Sequence, residues 1–275
     1  MIKDLLVNLS TGTKYHSALD YAVSFADAFE AHATAVAFAY EPIVPLSVMG
    51  GMTSDFLDVQ RAETERLASA ARERFDTLAR RVGIASDSHV YSTSVAGAAD
   101  YFGRMARRFD LSVVMQRESD NAAAEDLIAE AALFQSGRPV IVVPYAHAGG
   151  FKADNIMVCW DAGRTAARAI GDAAPLLARA TRVDVVMVLG EEGKRDEIPG
   201  ADIGQHLARR GLNVDVRRIV AEGDVQSTLL SYAADSAADM IVMGGYGHSR
   251  LREFILGGVT RKMLAAMTVP CFMSH

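Results

Sequence analysis

The chain is poor in cysteine. It has two, Cys159 and Cys271, in separate segments and without C-x-x-C spacing, which excludes a disulfide framework and a zinc ribbon. No run approaches the ~18 apolar residues of a membrane span. The opening stretch MIKDLLVNLSTG turns polar at Asn8, too early for a signal-peptide core, so a soluble chain in a reducing cytoplasm is expected. Excess positive charge is also missing: the formal net charge is −6, and the whole acidic excess lies in the first 150 residues. Neither nucleic acid nor an anionic membrane surface is an expected partner. The seven histidines show no i, i+4 spacing, and no metal site is expected.

The chain does have the balance of an ordinary globular protein, with 50% hydrophobic and 23% charged residues in 275 positions, a length that accommodates two domains. Short apolar runs alternate with longer amphipathic segments, the pattern of βαβ units around a parallel sheet. In the first half Leu5–Leu9, Ala33–Ala39, His89–Ser92, Leu111–Met115 and Val140–Val143 read as strands. Tyr15–Glu30, Phe56–Val82, Ala96–Arg108 and Asp120–Phe134 read as helices. In the second half Asn155–Cys159, Val183–Leu189, Val214–Ile219, Met240–Met243 and Cys271–Met273 read as strands. Thr165–Ala180, Asp196–Arg210, Val225–Ser236 and Thr260–Ala266 read as helices. LLVNLSTG at Leu5–Gly12 aligns with IMVCWDAG at Ile156–Gly163, so the halves are copies of one unit. The expected class is α/β, two tandem doubly wound domains with five-stranded parallel sheets, covering residues 1–148 and 149–275. The Pro-, Gly- and Met-rich stretch Glu41–Met52 reads as a surface loop or lid.

The densest chemistry lies at MGGYGHSRLREFILGGVTRKML, residues Met243–Leu264. A buried strand ends in Gly244-Gly245-Tyr246-Gly247, and Gly257-Gly258-Val259-Thr260 opens the last helix. Glycines at a strand end and a helix N-terminus expose backbone N–H groups with no side chain in the way, a concave donor set suited to phosphate. Ligands of open α/β sheets bind beyond the carboxyl ends of the strands, where this loop falls. Taken singly, each glycine also reads as a turn or capping residue. Asp161 reads equally as a helix cap or a ligand contact. Arg250 and Arg252 are good phosphate partners, although exposed arginines, and a loop residue such as His248, often do no more than meet solvent.

The spacing Gly-x-x-Gly-x9-Gly, present as Gly244, Gly247 and Gly257, resembles the nucleotide-binding signature of the universal stress protein family. CWDAG at Cys159–Gly163 and VAEGD at Val220–Asp224 agree with it, and the resemblance covers the whole chain as a tandem of two domains. It implies a Rossmann-like fold of the adenine nucleotide alpha hydrolase type, with ATP, ADP or AMP in the cleft, with or without Mg. It also implies stress-linked regulation more than dedicated catalysis. Asp161 would then lie near the adenosine and Leu189 against the adenine. Met243, Gly244, Gly247, Gly257, Gly258 and Val259 would contribute to the ribose and phosphate contacts, with His248, Arg250 and Thr260 nearby. The family places Ser or Thr where this chain has Gly258. One hydroxyl bond is lost, about 0.5–1.5 kcal/mol, or up to ~3 to a charged acceptor, so affinity falls roughly tenfold.

The first half lacks the signature. At its corresponding strand end it reads QRESDNAAAED, with Gln116 in place of the first glycine, Ser119 near the second and no glycine before Gly137. Glu118, Asp120, Glu125 and Asp126 crowd the phosphate position, and Ser10 stands where the second half has Asp161. This domain is expected to be structural or partner-binding. Two alternatives stay open for the chain: a nucleotide-free interaction scaffold, and a slow ATPase, although a Walker lysine and an acidic metal pair are missing. A homodimer, or pairing of Val140–Val143 with Cys271–Met273 within the chain, is expected, together with a regulatory protein partner.

Overall fold

The structure, a computed structural model, describes residues 1–41, 54–118, 123–189, 202–221, 223–245 and 258–275. The candidate lid at Glu41–Met52 lies outside them from residue 42 onward. The chain divides into two compact units, one made of Ile2–Arg138 with Ala148–Phe151, the other of Pro139–His147 with Lys152–His275 and Met1. Among the described residues no helix is long and apolar enough to cross a membrane.

The first unit runs β1 (Asp4–Leu9), α1 (Ser17–Phe29), β2 (His32–Tyr40), α2 (Ser54–Val82), β3 (Ser86–Thr93), α3 (Val95–Ala106), β4 (Leu111–Met115) and α4 (Ala123–Gln135). Its strands lie in the order β3-β2-β1-β4, all parallel. β1 and β4 are buried along almost their whole length, which is why they read as continuous apolar runs rather than alternating ones. β2 instead alternates alanine with larger residues, and Ala33, Ala35, Ala37 and Ala39 are all buried. Against this low surface packs α2, through Ala68, Ala71, Phe75 and Ala79 at three- and four-residue spacing. β3 extends three residues further toward the N-terminus than its apolar core suggested, because a strand at a sheet edge tolerates the polar Ser-Asp-Ser.

The second unit holds β5 (Val140–Val143), β6 (Asn155–Cys159), α5 (Arg164–Asp172), α6 (Ala174–Leu177), β7 (Arg182–Leu189), α7 (Ile203–Ala208), β8 (Val214–Val220), α8 (Val225–Asp235), β9 (Met240–Gly244), α9 (Val259–Ala266) and β10 (Cys271–Ser274). Its strand order is β5-β10-β9-β6-β7-β8. Every pairing is parallel except that of β5 with β10, where Cys271 faces Val142 and Met273 faces Val140. β5, counted with the first half by the sequence repeat, therefore completes the sheet of the second unit. The chain then returns to the first unit: Phe151 N–H donates to Ser24 Oγ at 3.0 Å, and its ring lies 4.6 Å from that of Phe25.

One difference from the sequence expectation has a clear cause. The segment expected as one helix, Thr165–Ala180, is two, with a break at Ala173. Pro175 lacks an N–H and its ring collides with the preceding turn, so it starts a new helix instead of continuing the old one.

The two copies share a device that the sequence alignment did not reveal. In the first, Asp110 Oδ2 accepts from the backbone N–H groups of Lys3 (2.8 Å) and Asp4 (3.1 Å). In the second, Asp239 Oδ2 accepts from those of Asp154 (3.0 Å) and Asn155 (2.9 Å). Each carboxylate pins the start of one central strand to the start of its neighbour. Strand registers follow suit, with Leu5 beside Leu111 and Ile156 beside Met240. This fixes which residues of the two copies are equivalent.

Candidate functional site

The carboxyl ends of β6 and β9 lie side by side in the second unit. β6 ends at Cys159, and Trp160 keeps one more ladder bond, donating its N–H to Val186 O at 2.9 Å. The chain then turns sharply. Asp161 Oδ1 accepts from Gly163 N–H at 2.8 Å, and Ala162 sits at φ +58. Gly163, not Asp161, is the N-cap of α5 and brings no side-chain cap. Asp161 thus spends one oxygen on an Asx turn, and the residue is exposed. Burial, with a smaller contribution from the Asp161 charge, pushes the Cys159 thiol up to about 12, so no thiolate nucleophile stands here.

Gly244 is the last residue of β9. A Cβ added there would fall within 2.6 Å of Thr165 Oγ1, Thr165 C and Ala166 N. The first turn of α5 rests directly on the strand end, and its backbone cannot withdraw as a flexible side chain would. Glycine is therefore dictated by packing. The same packing keeps side chains out of the place where a ligand would approach. Gly245 continues the edge, its N–H donating to Ser274 O at 2.8 Å and its carbonyl lying 3.0 Å from His275 Nδ1. Met243 is buried beneath.

Gly258 is the N-cap of α9 and likewise offers no side-chain oxygen to the first turn. Val259 is partly exposed at the first helical position, and Thr260 is buried. The backbone of Leu189, the last residue of β7, pairs with Val220 at the end of β8. Asp161, Leu189, Met243, Gly244, Gly258, Val259 and Thr260 are thus described, and all belong to strand ends or to the turn and helix starts beside them. Gly247, His248, Arg250 and Gly257 lie outside the described residues, as does Arg252.

Three neighbours were not singled out from the sequence. Thr165 packs against Gly244. Trp160, the chain's only tryptophan, precedes Asp161, and its indole Nε1 is buried with no hydrogen-bond partner among the described residues. Asp224, inside the VAEGD segment, caps α8 by accepting from Ser227 N–H at 2.9 Å. That bond, together with the Lys262 charge of α9, holds its carboxyl below the usual range. The lone tryptophan beside Asp161 and the VAEGD segment that ends at Asp224 were the signals available.

The same region of the first unit is built differently. By strand register Met115, rather than Gln116, stands level with Gly244; it is buried, and with Leu9, His16 and Ala18 it lines a small cavity of about 10 Å³. α1 starts at Ser17, four residues later than α5 does relative to the matched glycines Gly12 and Gly163, and this leaves room for the larger side chain. The acidic residues are tied down across the strand ends. Thr13 Oγ1 donates to Glu118 Oε2 at 3.0 Å, and Arg117 pairs with Asp126 at 2.9 Å. Burial raises the Glu125 carboxyl. Burial, with the Glu125 charge behind it, raises the Tyr40 phenol. Side chains occupy the strand ends that the second unit leaves to glycine.

Comparison with known proteins follows this geometry. The model of the Universal stress protein family matches residues 152–275. A universal stress protein of Synechocystis is 31% identical over 64 residues, and the match covers 23% of this chain and 22% of the relative's length. Among solved structures, a universal stress protein from Archaeoglobus fulgidus aligns with a TM-score of 0.67 at 14% identity, over 98% of this chain and 95% of that one. A functionally unknown protein from Pseudomonas aeruginosa aligns with a TM-score of 0.61 at 12% identity, over 99% and 92%. At these identities the structural matches speak for the fold.

Proposed function

We propose that this chain, whose residues 152–275 match the model of the Universal stress protein family, is a stress-linked regulatory protein whose C-terminal domain, residues 149–275, binds an adenine nucleotide. The observation that carries this reading is the contrast at Gly244, a strand end that excludes a Cβ, against Met115 at the matching position. In this reading Asp161 meets the adenosine through its carboxylate and Leu189 meets the adenine. The backbones of Met243, Gly244, Gly247, Gly257, Gly258 and Val259 line the ribose and phosphates. Thr260, His248 and Arg250 stand beside the phosphates, and the uncapped start of α9 supplies N–H donors and the positive end of its dipole. The ligand is ATP, ADP or AMP, with Mg bound through the phosphates if at all.

The N-terminal domain, residues 1–148, binds no nucleotide in this reading, because Glu118, Glu125 and Asp126 would face the phosphates with like charge. It supports the fold or meets a regulatory partner. The test is to denature the purified full-length chain, identify released adenine nucleotide by mass spectrometry, and titrate ATP into the emptied protein while following Trp160 fluorescence. Saturable quenching that is lost in Gly257→Val supports the reading. No released nucleotide and no response at millimolar ATP overturns it and leaves a nucleotide-free scaffold.

A further inference from the structure

The two units end in edge strands of opposite character. β8 carries three charged residues in seven, Asp215, Arg217 and Arg218, and Asp215 is paired with Arg217 at 3.0 Å and with Arg182 at 3.5 Å. Charges of this kind are how edge strands resist pairing with another chain. β3 has no such protection. Its eight residues, SDSHVYST, contain one charged side chain, no lysine and no proline, and its pairing with β2 runs without a bulge from Ser86 to Thr93. The charged side chain, Asp87, is already engaged, 3.2 Å from His32 Nε2. Among the described residues β2 is the only strand partner of β3.

The backbone shows which groups of β3 have no strand partner among the described residues. Ala85 O accepts from Ala33 N–H and Thr93 O from Glu41 N–H, each at 3.0 Å, so the odd-numbered residues direct their backbone groups toward β2. Those of Ser86, Ser88, Val90 and Ser92 point away from the sheet. On one face of the strand, His89 and Tyr91 extend an aromatic row: their rings lie 6.0 Å apart, and Tyr91 lies 4.6 Å from Tyr101 of α3.

We propose that the outer edge of β3 pairs antiparallel with β3 of a second copy of this chain, about a twofold axis at Val90. In that register Val90 meets Val90 of the other copy, Ser88 meets Ser92, His89 meets Tyr91 and Asp87 meets Thr93. Each opposed pair is compatible: apolar on the axis, hydroxyl with hydroxyl, aromatic with aromatic, carboxylate with hydroxyl. No like charges oppose, and the outward N–H and C=O groups of Val90 bond reciprocally. The alternative axis at His89 would oppose two imidazoles and set Asp87 against Tyr91. The self-complementary register is what selects a second copy as the occupant, because an isologous contact must satisfy itself on both sides.

The test uses the full-length chain. Light scattering during size-exclusion chromatography is expected to give a dimer whose fraction rises with concentration. Ser92→Pro removes an outward N–H without touching the bonds to β2, and it is expected to give a monomer with an unchanged circular dichroism spectrum. Val90→Cys places two thiols on an opposed pair about 5.5 Å apart at Cα, inside the disulfide range of roughly 4.4–6.8 Å. It is expected to form a covalent dimer on oxidation, while the wild type and His89→Cys do not. A chain that stays monomeric at every concentration, a dimer that survives Ser92→Pro, or the absence of a covalent Val90→Cys dimer would overturn the proposal.

Discussion

The two copies begin from one plan and end in different chemistry at the same spot. Asp110 and Asp239 clamp the same pair of strands, and the registers of β1 with β4 and of β6 with β9 correspond residue for residue. At the carboxyl ends of those strands the second copy has Gly163 and Gly244 under a helix that starts at once. The first has Met115, a late-starting α1, and carboxylates held by Thr13 and Arg117. A duplicated fold can thus preserve its strand-pinning contacts while one copy fills its cleft with its own side chains. Strand starts carry the shared architecture, and strand ends carry the difference.

The comparison can be broken most severely by exchanging its key residue. Gly244→Met installs the side chain of the first copy where the Thr165–Ala166 backbone leaves no room. Forced overpacking of this kind costs about 1–3 kcal/mol or more. Calorimetry should show a lower melting temperature, and ATP titration should show binding reduced at least a hundredfold. The reverse change, Met115→Gly, is expected to confer no ATP binding, because Glu118, Glu125 and Asp126 remain.

The shared device sharpens the comparison from the other side. Asp239→Ala and Asp110→Ala each remove the acceptor for two strand-starting N–H groups, a loss of about 1–3 kcal/mol. Denaturant titration should give similar losses for the two variants. A large inequality would mean that the two clamps are not equivalent.

Gly258→Ser adds a hydroxyl at the start of α9. Nucleotide affinity is expected to rise by up to about tenfold, the equivalent of 1.4 kcal/mol, and helix capping by Ser over Gly contributes only a few tenths of a kcal/mol. Isothermal titration of the two proteins separates the ligand effect from the stability effect.

The smallest effect concerns Glu125. Its carboxyl is raised in the folded state, chiefly by burial. The folded chain therefore holds that proton more tightly than the unfolded chain, and stability falls as pH rises through the folded value. Glu125→Gln, which mimics the protonated form, should raise the melting temperature slightly at neutral pH. Below 4.5, the ordinary glutamate value, both states are protonated and the gain should vanish.

Most of the fold was legible because the strands are apolar runs and the helices have clear periodicity. β1, β2, β4, β7 and β9 fall within a residue or two of their sequence boundaries. Pro175 announced a helix break that periodicity alone passed over, and Ser86–Ser88 concealed the start of β3 because an edge strand need not be apolar. The candidate site was legible only in part. Glycine spacing identified Gly244 and Gly258, but the reason Gly244 must be glycine lies in Thr165 and Ala166, which approach it across the fold. The match of Met115 to Gly244 depends on strand register, a property of pairing that one strand's sequence does not contain. The Asp161 carboxylate could be read as a cap or a ligand contact. The cap position is taken by Gly163, and the exposed Asp161 accepts from the Gly163 N–H instead.

The claim that one copy binds and the other does not is tested most directly by the stoichiometry of ATP binding to the emptied full-length chain in isothermal titration calorimetry. One ATP per chain, abolished by Gly244→Met, is the expected result. Two ATP per chain, or a single site that survives Gly244→Met, would contradict it.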